Sequence, residues 1–340
     1  LRRNSRLKDR FLTVLKVAIS LGLIAYIVSR PTILGADWGA ILAKVRVWPW
    51  LVALAIYFVA IGFNVLKWQY LLRTLGVRVP YPALYRYNLV GLFFANLPLS
   101  MVGGDIARGW DLARHTEGQT AAVAVSVVVD RLVGLAAFLL GAVLGLAYAV
   151  LALRRPDLTW LLAAVGTLSF VFVLAFAALM SQRTRRLLER IFTWGPLHRF
   201  LPLYQELSDS VQVYRSHGQA LAVALAFGLA TAAITCVVNY LAAVAGGTDV
   251  PLNWVFVLTP LTAFAPFLPS IASGLGWNQG VFIVLYVDLA KLGGGDPEAF
   301  AGSVLVMSLA MQAIILVSSL PGAFLWWQRR GRQTRLDQPS

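Results

Sequence analysis

The sequence predicts an all-α integral membrane protein, with about six transmembrane helices and two re-entrant helical hairpins in an inverted-topology repeat. Three observations predict it. Hydrophobic residues make up 59% of the 340 and charged residues only 13%, whereas ordinary soluble domains carry about 25% charge. Several apolar runs approach or exceed the roughly 18 residues of a membrane span. Two further apolar stretches, one in each half, are broken by proline and glycine.

The expected spans are Phe11–Val28, Trp50–Leu66, Ala121–Ala149, Leu158–Met180, Gln219–Val244 and Phe300–Trp327. Phe11–Val28 is long for a signal-peptide core, and Ser29-Arg30-Pro31 is no small-residue cleavage site, so it reads as a true first span. The broken stretches are Leu89–Val102, with Pro98 before Gly103 and Gly104, and Val255–Val287, with Pro260, Pro266, Pro269, Gly274, Gly276 and Gly280. As a helix the first would rise about 21 Å, short of the roughly 30 Å hydrocarbon core. Residues 181–218 form the longest polar connection. Leu187, Leu188, Ile191 and Phe192, then Leu207, Val211 and Tyr214, fall at helical spacing, which predicts a pair of short amphipathic helices lying on the membrane surface.

Charge sets the topology. With both broken stretches as hairpins, segments 1–16, 67–119, 181–218 and 329–340 face the cytoplasm and hold 22 Lys and Arg; the outer loops hold six. A full crossing at Leu89–Val102 would turn the basic 181–218 segment outward, against the positive-inside bias. Residues 1–340 then form one membrane domain. Its inverted halves are 11–155 and 156–328, 181–218 is a cytoplasmic amphipathic segment, 329–340 is a basic tail, and both ends are cytoplasmic. The expected location is the plasma (inner) membrane of a bacterium. The net charge of +14 is read as loop bias and not as a nucleic-acid footprint.

A hairpin tip inside a bilayer leaves backbone groups without helical partners, which is tolerated where protein covers them or a wet cavity takes them. Two tips entering from opposite faces would suit a polar or anionic headgroup. The candidate binding residues at the first tip are Asn96, Gly103, Gly104, Asp105 and Arg108; at the second they are Ser270, Gly274, Gly276, Asn278 and Gln279. Asp105 and Arg108 stand at i, i+3, so a headgroup contact and an interfacial ion pair are both open. Asp130 and Arg131 lie about two turns into an apolar span, and charges at such depth usually face the bundle interior. The arginine fork suits a phosphate, and each of the two residues needs its own partner. Lys67 reads first as an interfacial anchor beside Trp68, with a basic path for anionic lipid as the alternative.

Cys236, the sole cysteine, can form no internal disulfide, and His115, His198 and His217 are too scattered to be ligands. No metal or cofactor is expected. There is no phosphate loop and no nucleophile set, so neither an ATPase nor a lipid-modifying enzyme is expected.

At these residues the chain resembles the flippase-like membrane family, best known from the membrane half of lysylphosphatidylglycerol synthase (multiple peptide resistance factor). The resemblance covers about residues 11–328. It rests on Lys67-Trp68 with Leu71-Leu72 and Gly76, on Asn96-Leu97-Pro98 through Gly103-Gly104-Asp105 with Arg108, on Asp130-Arg131 with Gly134, and on Pro269 through Gly274 and Gly276. Where family members often carry an Arg-Glu pair after the second glycines, this chain has Asn278-Gln279, so charge recognition at the second tip is not carried over. The resemblance implies a lipid flippase or scramblase that moves a phospholipid or lipid-linked headgroup between leaflets. The implied partner is a membrane lipid, anionic or lipid-linked; a homo-oligomer is compatible. Without an aminoacyl-transferase domain, the chain is not expected to make the lipid. The alternative reading is a non-transporting scaffold, or a lipid-binding partner of a lipid-biosynthetic enzyme.

Overall fold

The computed structural model describes residues 29, 33, 36–96, 101–116, 118–179, 181–183, 186, 201–264, 276–292 and 297–336. Among these every regular element is a helix, and there is no strand. The order is α1 (Trp38–Ala43), α2 (Val47–Thr74), α3 (Tyr81–Ala95), α4 (Met101–Ala113), α5 (Thr120–Leu151), a 3₁₀ turn Pro156–Leu158, α6 (Thr159–Leu179), α7 (Leu201–Ser216), α8 (Gly218–Ala245), α9 (Leu252–Thr262), α10 (Trp277–Ile283) and α11 (Pro297–Leu336). A π-helical turn, Val284–Leu289, continues α10.

Five of these helices are long and apolar enough to cross a membrane: α2, α5, α6 with its 3₁₀ turn, α8 and α11. They coincide with five of the expected spans. Phe11–Val28, the other, lies outside the described residues. The apolar surface of α6 shows what surrounds the protein. Trp160, Leu168, Phe170, Val171, Val173 and Leu174 are each more than half exposed. Such a face does not stand in water: it marks a surface for lipid or for another protein.

The first broken stretch is not one helix. Helix α3 starts at Tyr81, well before Leu89, and ends at Ala95; α4 begins at Met101. Gly104 of α4 lies against the Gly91 carbonyl, and a Cβ there would meet the Ala95 Cβ at 2.8 Å. Glycine at 104 thus lets α4 fold back closely on α3. The tip between them, like residues 265–275 of the second stretch, lies outside the described residues.

The chain folds as two compact units that interleave along the sequence. One takes its described residues from 60–87 and 108–233, the other from 1–59, 88–107 and 234–340. The first, the α5 unit, is centred on Leu71, Val125, Val129, Val133, Tyr214 and Ala224. Helix α7 was expected on the membrane surface. Its carboxyl end instead docks on protein: Tyr214 is fully buried, and its hydroxyl donates to the Leu71 carbonyl at 2.9 Å. In the second, the α11 unit, the Trp50 indole donates to the Ala310 carbonyl at 3.0 Å. Gly322 rests on the Leu89 backbone, beside Phe93, Phe94 and Trp326.

A repeated passage runs through the fold. Helices α2 and α8 are both 28 residues long. Each ends in a left-handed glycine, Gly76 (φ 79°) and Gly247 (φ 67°). Each has the paired bonds of a Schellman stop: Val77 N to Leu72 O with Gly76 N to Arg73 O, and Thr248 N to Ala243 O with Gly247 N to Val244 O. Then Pro80 and Pro251 open α3 and α9, each carbonyl accepting from residues three and four further on. All of these positions differ by one offset, 171 residues, which also pairs Pro98 with Pro269 and Gly103 with Gly274.

Candidate functional site

Among the described residues, three charged side chains are buried: Lys67, Arg108 and Asp130, at 3%, 3% and 2% exposure. All three belong to the α5 unit, and they meet. Arg108 Nη2 donates to Asp130 Oδ2 at 2.7 Å. Lys67 Nζ stands 3.1 Å from Asp130 Oδ1 and also donates to the Asp130 carbonyl at 3.1 Å. Two cations therefore share one carboxylate.

The helices explain the convergence. Lys67 is seven residues from the end of α2, because apolar and aromatic residues carry that helix two turns beyond Leu66 to its glycine stop. It is thus an interior residue and not the expected interfacial anchor. Asp130 is the eleventh residue of α5, about 15 Å along it from Thr120. Gly134, one turn on, leaves the space that the lysine ammonium fills: a Cβ there would lie 3.1 Å from Lys67 Nζ. Gly228 of α8 does the same for the lysine stem and Ala137. Arg108 reaches in from α4, its guanidinium 4.7 Å from the centre of the Trp68 ring. The Trp68 indole is fixed in turn by donating to Ser126 Oγ at 3.1 Å, so ring and guanidinium hold each other in a favourable cation–π geometry. Outside the spans, burial first and then the negative charge of Asp130 hold the Tyr214 phenol far above its ordinary pKa, so it stays a hydrogen-bond donor.

Of the residues singled out from sequence, Lys67, Arg108 and Asp130 come together. Arg131 is only partly buried and is not one of the two cations on Asp130, although its charge is felt at Lys67. Asp105 is partly exposed on α4. Asn96 follows the last residue of α3, Gly103 has ordinary room beside the Phe94 carbonyl, and Gly104 serves close packing. Ser270 and Gly274 lie outside the described residues. Gly276 takes φ 89° before α10, and its N–H donates to Gln279 Oε1 at 2.7 Å. Asn278 Nδ2 donates to Gln312 Oε1 at 2.9 Å, a buried neutral pair. Sequence reasoning missed Ser126, Gly228 and Tyr214 as parts of the first cluster's surroundings. No charge or motif marks them.

Energetically the cluster is poor glue. Burying ions costs more than well-packed apolar residues of the same volume would. Charges within apolar spans are rare and face the bundle interior or a polar cavity.

Five long apolar helices, with a buried ion cluster among them, define a multi-pass membrane protein. The chain belongs to the family described as the lysylphosphatidylglycerol synthase TM region, whose profile matches residues 13–322. It is also similar to a UPF0104 membrane protein of Methanothermobacter thermautotrophicus, with 26% identity over 294 residues covering 80% of this chain and 84% of that one. The family is a membrane domain associated with lipid handling.

Proposed function

We propose that this protein is a lipid flippase or scramblase, and that the Lys67–Asp130–Arg108 cluster receives the anionic part of a headgroup as it passes between leaflets. One observation carries the reading: two buried cations converge on a single carboxylate in a membrane protein, a cation-rich centre that suits a phosphate. Arginine supplies a planar donor fork for such an oxyanion, and Lys67 a point charge beside it.

In this reading α3–α4 and α9–α10 are re-entrant hairpins of an inverted repeat. The shared offset of the Schellman glycines and helix-opening prolines supports a repeat, and the basic loops support opposite orientation of its halves. Both chain ends are cytoplasmic, and the membrane is the plasma membrane. The protein moves lipid without making it. Movement is passive, ion-coupled or driven by a partner.

Reconstitution into liposomes with a fluorescent anionic lipid tests the proposal. The wild type should speed the lipid's exposure to an outside quencher, and Arg108→Gln should slow it. Wild-type movement no faster than in protein-free liposomes, across several headgroups and with an imposed proton gradient, would overturn it.

A further inference from the structure

We infer a second ligand site in the α11 unit, an uncharged counterpart of the ion cluster that takes the hydroxyl-bearing, uncharged part of a lipid headgroup. It rests on the transport reading only in assigning the ligand to a lipid.

The 171-residue offset places Asn239 where the first half has Trp68, Gln279 where it has Arg108, and Val238 where it has Lys67. Both amides are buried, at 2% and 4% exposure. Asn239 gives its N–H to the Thr235 carbonyl at 3.1 Å, but its Oδ1 has no partner. Gln279 caps Gly276 through Oε1, but its Nε2 has none. Two hydroxyls share this condition. Thr259 and Tyr286, 1% and 0% exposed, lie beside each other and the Cys236 thiol, yet neither oxygen makes a well-formed hydrogen bond.

Buried polar atoms without partners are rare in native proteins, and more costly still where lipid replaces water. The two hydroxyls sit on irregular stretches of helix. Pro260 follows Thr259 directly inside α9 and removes a helical N–H. Tyr286 lies in the π-helical turn Val284–Leu289, a geometry that recurs at functional sites. Irregular backbone at membrane depth is tolerated where it lines a polar cavity or is covered by protein. The chemistry on offer is specific. Asn239 Oδ1 accepts, Gln279 Nε2 donates, and the two hydroxyls do either. Among its described residues this unit buries no charged side chain. A group that both donates and accepts without charge, such as a sugar or glycerol alcohol, matches that set.

Native mass spectrometry of the full chain tests the site with three probes: a monohexosyl diacylglycerol, the same lipid with its sugar permethylated, and phosphatidic acid. The wild type should retain the free-sugar lipid over the permethylated one. The double variant Thr259→Val, Tyr286→Phe should lower that retention about tenfold and leave phosphatidic acid unchanged, whereas Arg108→Gln should do the reverse. Should the double variant fail to fold, Tyr286→Phe alone keeps the ring stacked on Phe282, 5.7 Å away, and should cost about fivefold. The site is overturned if the wild type does not discriminate the two glycolipids, if the variants retain the free-sugar lipid as the wild type does (a cluster satisfied by water only), or if Tyr286→Phe loses phosphatidic acid in parallel. Failure of the transport reading would show separately, as no lipid movement in liposomes beside an intact retention pattern.

Discussion

Arg108 and Asp130 form a 2.7 Å ion pair, both side chains sealed from solvent, although they lie on successive helices 22 residues apart. With Lys67 on the other carboxylate oxygen, Asp130 is the pivot of the cluster. Asp130→Asn would remove the carboxylate that both buried cations share. The expected loss is about 3–5 kcal/mol, the cost of stranding buried charge, read as a large fall in thermal unfolding temperature in detergent. Arg108→Gln leaves a neutral Lys67–Asp130 pair and should be much milder. Equal stability of the two variants would count against the pivot.

Gly134→Leu tests the space kept for Lys67. A Cβ there would already stand 3.1 Å from the ammonium, so a longer side chain must push Lys67 off Asp130. Lipid movement should fall to the level of Lys67→Gln, while Gly134→Ala, which the flexible lysine can accommodate, should stay close to wild type.

Ser126→Ala removes the acceptor for the buried Trp68 indole. It should cost about 1–3 kcal/mol, the penalty of an unsatisfied buried donor, and loosen the ring under Arg108. In a Trp68→Phe background the same Ser126→Ala change should cost much less, because the stranded donor is gone. Unfolding midpoints of the single and double variants decide it.

The spans were legible because apolar length is a local property: α2, α5, α6, α8 and α11 stand where their runs stand. Asp130 was legible as a charge inside such a run. Lys67 was misread because the run stops at Leu66, while the helix continues to its stop at Gly76, and only the helix end reveals that the lysine is interior. Arg108 had a nearer candidate partner in Asp105 at i, i+3, and nothing in the sequence reports that it turns toward α5. Tyr214 looked like a membrane-facing residue of an amphipathic helix; its hydrogen bond to the Leu71 carbonyl is a tertiary fact with no local signal. The 171-residue offset, by contrast, was in the sequence throughout and became readable once the helix ends were fixed.

Tyr214→Phe removes that bond and should cost about 1 kcal/mol, with lipid movement intact. Neutralising Arg183, Arg185, Arg186 and Arg190 of the 181–218 connection, which leaves the buried Tyr214 in place, separates transport from a scaffold role. If function needs those charges but tolerates Lys67→Gln and Arg108→Gln, the scaffold reading is the better one.

The most direct test of the central claim, that the buried cations receive an anionic headgroup, is mass spectrometry of the lipid retained on purified full chain, wild type against Arg108→Gln. Anionic lipid enriched over the membrane average on the wild type, and lost from a variant that still folds, is the predicted result. The same lipid profile on both proteins would contradict it.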